Sequence, residues 1–313
     1  MMRFIKYSLL FLIPVIVFLV ALEMAVTAIP NSYLYKYNYV KSHGDSLEVI
    51  AIGHSQFYDG FMAEAFARPA FNLANHDQMH QENYYVMKEL LPYLPNLKTV
   101  IMPIGYIDVV DKEEEWRFNS IACFYHEYMN VNYGGHLPLK DWYECFSPHR
   151  AYEKAISYYI NHEDIVCCDS LGRENTRYLK DRKEPLGANN HHFLSDYTAS
   201  ECEHYFIRGS KHLTNNIAML TEKGIHVVLV SPPHYWADFQ PNKKQLDFLR
   251  QYIIDLQQLF PIQYIDMQFD KEFVDNDFYN ETHLSEIGAE KFTKKLDDMI
   301  YENSEKEMNM TPK

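Results

Sequence analysis

The chain has 313 residues, of which 47% are hydrophobic, 15% aromatic and 23% charged, and it carries a formal net charge of −14. That acidic balance argues against nucleic acid and anionic lipid as partners, because neutralising phosphates needs a basic face. Its five cysteines, Cys123, Cys145, Cys167, Cys168 and Cys202, have no C-x-x-C spacing, so neither a zinc ribbon nor a dithiol redox motif is indicated, and any disulfide pairing stays open.

The first element is apolar. Arg3 and Lys6 precede an apolar run from Tyr7 to Leu22, then a single Glu23 and a further apolar stretch to Ile29. Roughly 20 apolar residues span a bilayer, and a charge near the end reaches the interface. Residues 1–30 therefore read as a single-pass membrane anchor, with the basic end in the cytoplasm and the rest on the extracytoplasmic side. A cleaved secretory signal, with Val26 and Ala28 as the small residues before the cut, is the alternative. Both readings export the remainder of the chain.

Residues 31–302 are enough for one elaborated α/β domain with a sizeable core. Val49 to Ile52 is a short apolar run ending at Gly53, which reads as a strand buried on both faces. Similar runs recur at Val100 to Ile104, Val227 to Val230 and Gln263 to Ile265. Helical stripes lie between them: Tyr84, Met87 and Leu91; Leu213, Ile217 and Leu220, stopped by Gly224; Leu246, Leu249, Ile253, Leu256 and Phe260, stopped by Pro261; and Ala289, Phe292, Leu296 and Met299. Strands alternating with helices imply a three-layer α/β/α architecture around a mostly parallel, flavodoxin-like sheet. Residues 106–200 break the rhythm and read as an insertion that forms a cap beside the sheet. Its aromatic residues, Trp116, Tyr125, Tyr128, Tyr133, Trp142, Tyr143, Tyr158 and Tyr159, suit either sugar stacking or the core of a subdomain. Residues 303–313 form a polar tail expected to fray.

The chemistry concentrates at two places. Gly53-His54-Ser55 follows the first strand, where a glycine permits a sharp strand-to-helix turn and a serine would stand at the C-terminal edge of the sheet. Asn280-Glu281-Thr282-His283-Leu284 precedes the last helix, and neutral His283 is suited to take the proton of Ser55. Together they read as a nucleophile and its general base. Asn280, three residues before His283, would orient the imidazole without supplying charge, a role for which Asp277 or Glu281 are the nearby substitutes. The backbone N–H of Ser55 and the amide of Asn75 are candidate oxyanion donors, with Asn75 as a helix cap the alternative. Gly105 permits close substrate approach or simply a turn, and Asp108 and His234 are weaker candidates. No cofactor is expected, and no metal: His76 and His80 have i, i+4 spacing and His191-His192 are adjacent, but no third ligand is identifiable.

Four stretches carry a family resemblance: Ile52-Gly53-His54-Ser55-Gln56 with Gly60; Phe71-Asn72-Leu73-Ala74-Asn75 with Gln78; Ile101-Met102-Pro103-Ile104-Gly105 with Asp108; and Asn280-x-x-His283-Leu284 with Gly288-Ala289. In this order the chain resembles the SGNH/GDSL-type hydrolases, most of all their membrane-anchored branch of alginate O-acetylation and lipoteichoic-acid D-alanylation proteins. The resemblance implies a serine esterase or O-acyltransferase acting on acyl groups of a cell-surface polysaccharide. It also implies Gln78 as a substrate-side residue, a glycan or acyl donor as ligand, and a membrane-bound acyltransferase as partner. Two departures stand out. Asn280 replaces the family's aspartate, and the third block lacks its asparagine, so a catalytically degenerate glycan-binding or assembly protein is the alternative implied.

Overall fold

The computed structural model describes residues 2–105, 114–134, 142–144, 148–187, 199–235 and 243–310. Asp108, Cys145, His191 and His192 lie outside the described residues, as do the side chains of Trp116 and Cys202.

Among the described residues five strands form one parallel sheet: β1 (Val49–Ala51), β2 (Ala70–Asn72), β3 (Thr99–Pro103), β4 (His226–Ser231) and β5 (Ile262–Asp266), in the order β2-β1-β3-β4-β5. Their registers bring Val49 beside both Ala70 and Thr99, and Val100 beside Val227. Continuous apolar runs suit such strands because both faces are covered. Ile50, Phe71, Val100, Met102, Val227 and Leu229 point to one core, and Val49, Ala51, Ile101, Val228 and Val230 to the other, as the two-residue period of a strand requires.

The first core is closed by α2 (Ser32–His43), α4 (His80–Leu90), α5 (Glu114–Met129), α7 (Ala199–Glu222) and α8 (Lys243–Leu259). The second is closed by the short α3 (Ser55–Gly60) and the long α9 (Glu286–Met310). The fold is thus a three-layer α/β/α sandwich. On α8 the stripe Leu249, Ile253 and Leu256 is buried as its spacing predicts. On α4 the inward face is Val86, Met87 and Leu90 rather than Tyr84, Met87 and Leu91, because α5 and α7 pack on α4 together and rotate the buried face by about one residue. On α9, Ile300 is buried and Met299 is exposed. The backbone of α9 stays helical through residue 310, where composition suggests a frayed tail.

Between β3 and β4 the chain builds α5, α6 (Pro148–Tyr159) and α7. Tyr125, Tyr128 and Tyr133 are core residues here, whereas Tyr143 and Tyr159 are exposed. A segment at 167–177 lies along the sheet's β2 edge: the N–H of Asn72 donates to the Leu171 carbonyl at 2.9 Å, and that of Glu174 to Tyr58 at 3.0 Å.

Helix α1 (Met2–Thr27) contains a stretch, Lys6–Thr27, long and apolar enough to cross a membrane, with mean hydropathy 2.8. Most of its apolar side chains are exposed, but contacts with the domain begin near its end. The N–H of Glu144 donates to Glu23 Oε1 at 3.0 Å, Tyr159 Oη donates to the Ala25 carbonyl at 2.7 Å, and Val26 and Ile29 are fully buried. The end of α1 is therefore also part of the folded domain. Burial of a Val or Ile side chain contributes about 1.5–3 kcal/mol. A chain starting at residue 23 should unfold at clearly higher urea than one starting at residue 31; equal midpoints would show that these contacts contribute nothing.

Candidate active site

In a parallel sheet of this order the chain leaves β1 toward β2 and returns on the other side to β3, so the C-terminal ends of β1 and β3 flank the crevice where such sheets place ligands. Ser55 opens α3 at that point. The turn before it depends on Gly53, whose φ of +150° disfavours any side chain and whose added Cβ would overlap the ring of Pro103 at the end of β3. His54 caps α3: its carbonyl accepts the N–H groups of Phe57 and Tyr58 at 3.0 and 3.1 Å, and its Nδ1 accepts that of Gln56 at 3.4 Å. The N–H of Ser55 is one of the first-turn donors that no helix satisfies internally.

His283 reaches Ser55 from a tight turn. Phe278 and Leu284 form an antiparallel bridge, and the N–H of Tyr279 donates to the His283 carbonyl at 2.8 Å. Gly288 seats α9 behind this turn, because a Cβ there would overlap the Asp277 backbone. Within the turn, Asn280 Oδ1 accepts the N–H groups of Thr282 and His283 at 3.1 and 2.9 Å. Two backbone donors on one atom identify it as the amide oxygen, an acceptor only. His283 Nδ1, 2.9 Å from that oxygen, must then carry the proton, which leaves the Nε2 lone pair to accept from Ser55 Oγ at 2.8 Å. The imidazole is thereby set in the tautomer a general base needs.

Burial holds His283 well below the ordinary histidine range, helped by the Arg177 guanidinium and by His76, His54 and His234. The ring is neutral at neutral pH. Asp277 and Glu281, the acids closest in sequence, serve elsewhere: Asp277 Oδ2 accepts from the N–H of Val274 and from Lys291 Nζ, both at 2.8 Å, and Glu281 Oε1 accepts the N–H of Gly187 at 3.1 Å. The carboxylate near His283 is one that the sequence motifs do not mark. Asp59, fully buried on α3, places Oδ2 3.7 Å from His283 Nε2 and accepts Arg177 Nη1 at 2.6 Å. A serine-x₃-aspartate spacing on a short helix was the available signal, and it is a weak one.

Asn75 lies in the loop after β2, with its N–H on the Gly53 carbonyl at 3.0 Å, so it faces the same turn as Ser55. It caps no helix, since α4 begins only at His80. One of its amide protons goes to Gln78 Oε1 at 3.0 Å. Gln78 is fully buried, accepts Tyr125 Oη at 2.8 Å and donates to Asn83 at 2.9 Å. With both ends of its amide engaged, Gln78 holds Asn75 in place from behind. Gly105 is buried at the same sheet edge. His234 Nε2 accepts from Gln56 Nε2 at 3.2 Å, and the same amide nitrogen donates to the Thr282 carbonyl at 3.2 Å, tying the loop after β4 to the His283 turn. His76 precedes α4, so it shares no helical face with His80.

No family model and no curated protein matches the sequence. Among solved structures, one described as a platelet activating factor from Streptococcus pneumonia is similar at 10% identity and a TM-score of 0.36, over 85% of this chain and 91% of that one. One described as an acylhydrolase, from Bacteroides fragilis, is similar at 9% identity and a TM-score of 0.37, over 84% of this chain and 95% of that one. At these scores neither likeness bears on the chemistry.

Gly53→Ala combines a disfavoured φ with an overlap on Pro103. It should cost on the order of 2 kcal/mol or more in urea unfolding. An unchanged midpoint would mean that the Ser55 turn is not held as described.

Proposed function

We propose that the chain is a membrane-tethered serine acyl-ester hydrolase or O-acyltransferase. The observation that carries this reading is the 2.8 Å contact from Ser55 Oγ to a His283 Nε2 whose other nitrogen is engaged by Asn280. In this reading the Oγ–H proton passes to Nε2 as Oγ bonds to the acyl carbon, and the carbonyl electron pair moves to oxygen. The N–H of Ser55 and the amide of Asn75 stabilise that oxyanion. The imidazolium then protonates the leaving oxygen, and water or a sugar hydroxyl resolves the acyl-enzyme by the reverse sequence.

The resemblance in the four motif stretches supports a cell-surface polysaccharide as the site of the acyl groups and a membrane-bound acyltransferase as partner. Arg3 and Lys6 before the apolar stretch of α1 support a cytoplasmic N-terminus, with the domain outside. The buried Val26 and Ile29 support retention of that helix over cleavage beside them.

The test uses the full chain in detergent micelles. A fluorophosphonate probe should label the wild type and neither Ser55→Ala nor His283→Ala, and both variants should lose at least about a thousandfold in kcat/KM on a short-chain p-nitrophenyl ester. Because His283 is neutral as base and its pKa is depressed, the complete loss of activity that comes as the ring protonates should fall at a pH below the ordinary histidine value. Folded protein that neither labels nor turns over would reject the enzyme and leave a glycan-binding or assembly role.

A further inference from the structure

On its Nδ1 side His283 meets the neutral amide of Asn280, which orients the ring but cannot balance the charge of an imidazolium. A carboxyl group stands on the other side. Asp59 follows Ser55 by one turn of α3, so the nucleophile and this acid ride on the same short helix. Its Oδ2 lies 3.7 Å from His283 Nε2, and its Oδ1, equally buried, has no hydrogen-bond partner among the described residues.

Residues far away in sequence enclose it. The 167–177 segment brings Arg177 Nη1 to Oδ2 at 2.6 Å and Arg173 Nε to the Asp59 carbonyl at 2.8 Å. A buried carboxylate with one oxygen unsatisfied costs stability, and its retention calls for a role beyond packing.

We propose that Asp59, held by Arg177, is a positioning residue for His283 and supplies from the Nε2 side the negative charge that Asn280 cannot supply from the Nδ1 side. The proposal rests on the acyl-transfer reading above. When the Ser55 proton reaches Nε2, the new imidazolium faces the carboxylate directly, so the charge pair forms only as the Oγ–C bond forms. An interaction of that kind raises kcat more than it lowers KM.

The charge is also conditional on pH. Asp59 is faced by Arg177, Arg173 and Glu174 of the insertion, by Lys36 of α2 and by His283. Burial pushes its carboxyl up to about 7, against the pull of Arg177, while Glu174 adds to the rise and Arg173 opposes it. His283 is faced in turn by Arg177, His76, His54 and His234. Above about pH 7 Asp59 is a carboxylate and assists; below it the group is neutral and assists no longer.

The experiment is kcat against pH for the full chain in detergent micelles on a short-chain ester, together with the ring titration of His283 by NMR in ¹³C-histidine-labelled protein. The wild type should lose roughly tenfold through pH 7 before the complete loss at lower pH. Asp59→Asn should sit on the lower plateau without that step, with KM little changed and with the small change in the His283 ring signals that accompanies Asp59 protonation near pH 7 lost. Asn280→Asp in the Asp59→Asn background should recover the loss, since it restores charge from the other side. Arg177→Gln should move the upper step to higher pH, and it decides the matter if Asp59→Asn does not fold. A single step identical in the wild type and the variants would overturn the proposal. If the wild type has no turnover at all, the acyl-transfer reading fails, and His283 ring signals with no step near pH 7 that Asp59→Asn abolishes would overturn the role of Asp59 as well.

Discussion

The hydrogen bond between His283 Nε2 and Ser55 Oγ joins residues 228 positions apart, and the packing around it is what keeps it at 2.8 Å. Ser55 is placed by the strand β1, by the Gly53 turn against Pro103 and by the His54 cap on α3. His283 is placed by the Phe278–Leu284 bridge, by the acceptor contacts of Asn280 Oδ1 within the turn and by α9, seated through Gly288. Gln56 then ties the two halves directly, with its amide on the Thr282 carbonyl and on His234. A triad-like arrangement tolerates little error in distance, and here both partners are fixed by backbone-level contacts rather than by long side chains.

The electrostatics of this edge differ from those of the whole chain. The protein as a whole is acidic, yet the groups around His283 are a guanidinium and three other histidines, with one buried carboxyl among them. Burial is the largest influence on both His283 and Asp59, lowering the first and raising the second, because each is penalised in its charged form. The two groups therefore move toward neutrality together in the resting site. In the acyl-transfer reading a charge on the imidazole would arise only as the proton moves, which is the condition under which a fixed charge does most for a transition state.

The insertion between β3 and β4 has a structural connection to the site as well as to α1. Its 167–177 segment joins the sheet edge beside Asn72 and carries Arg173 and Arg177 to Asp59. Its α6 region receives the end of α1 through Tyr159 and Glu144. Tyr125, on α5, closes the Gln78 network behind Asn75. The apolar helix, the inserted helices and the sheet's C-terminal edge form one continuous packed path.

Much of this was legible in the chain itself. Short apolar runs bounded by polar residues identified β1, β3, β4 and β5 to within a residue or two, since a strand buried on both faces leaves no other pattern. The stripe on α8 did the same for a helix with one buried face. Ser55 and His283 could be singled out because glycine before a serine at a strand end, and histidine before a helix, are local signals. Gln78 and Asp59 were not legible in the same way. Gln78 was expected on the substrate side and instead is sealed behind Asn75 by Tyr125 and Asn83. A lone aspartate in a short helix ordinarily faces water; the burial of Asp59 depends on Arg177, 118 positions further along the chain. Local pattern determined which segments form strands and which residues could do chemistry. Only the tertiary packing decided which charges lose their water and which side of His283 a carboxylate occupies, because desolvation belongs to the space around a group and not to its neighbours in sequence.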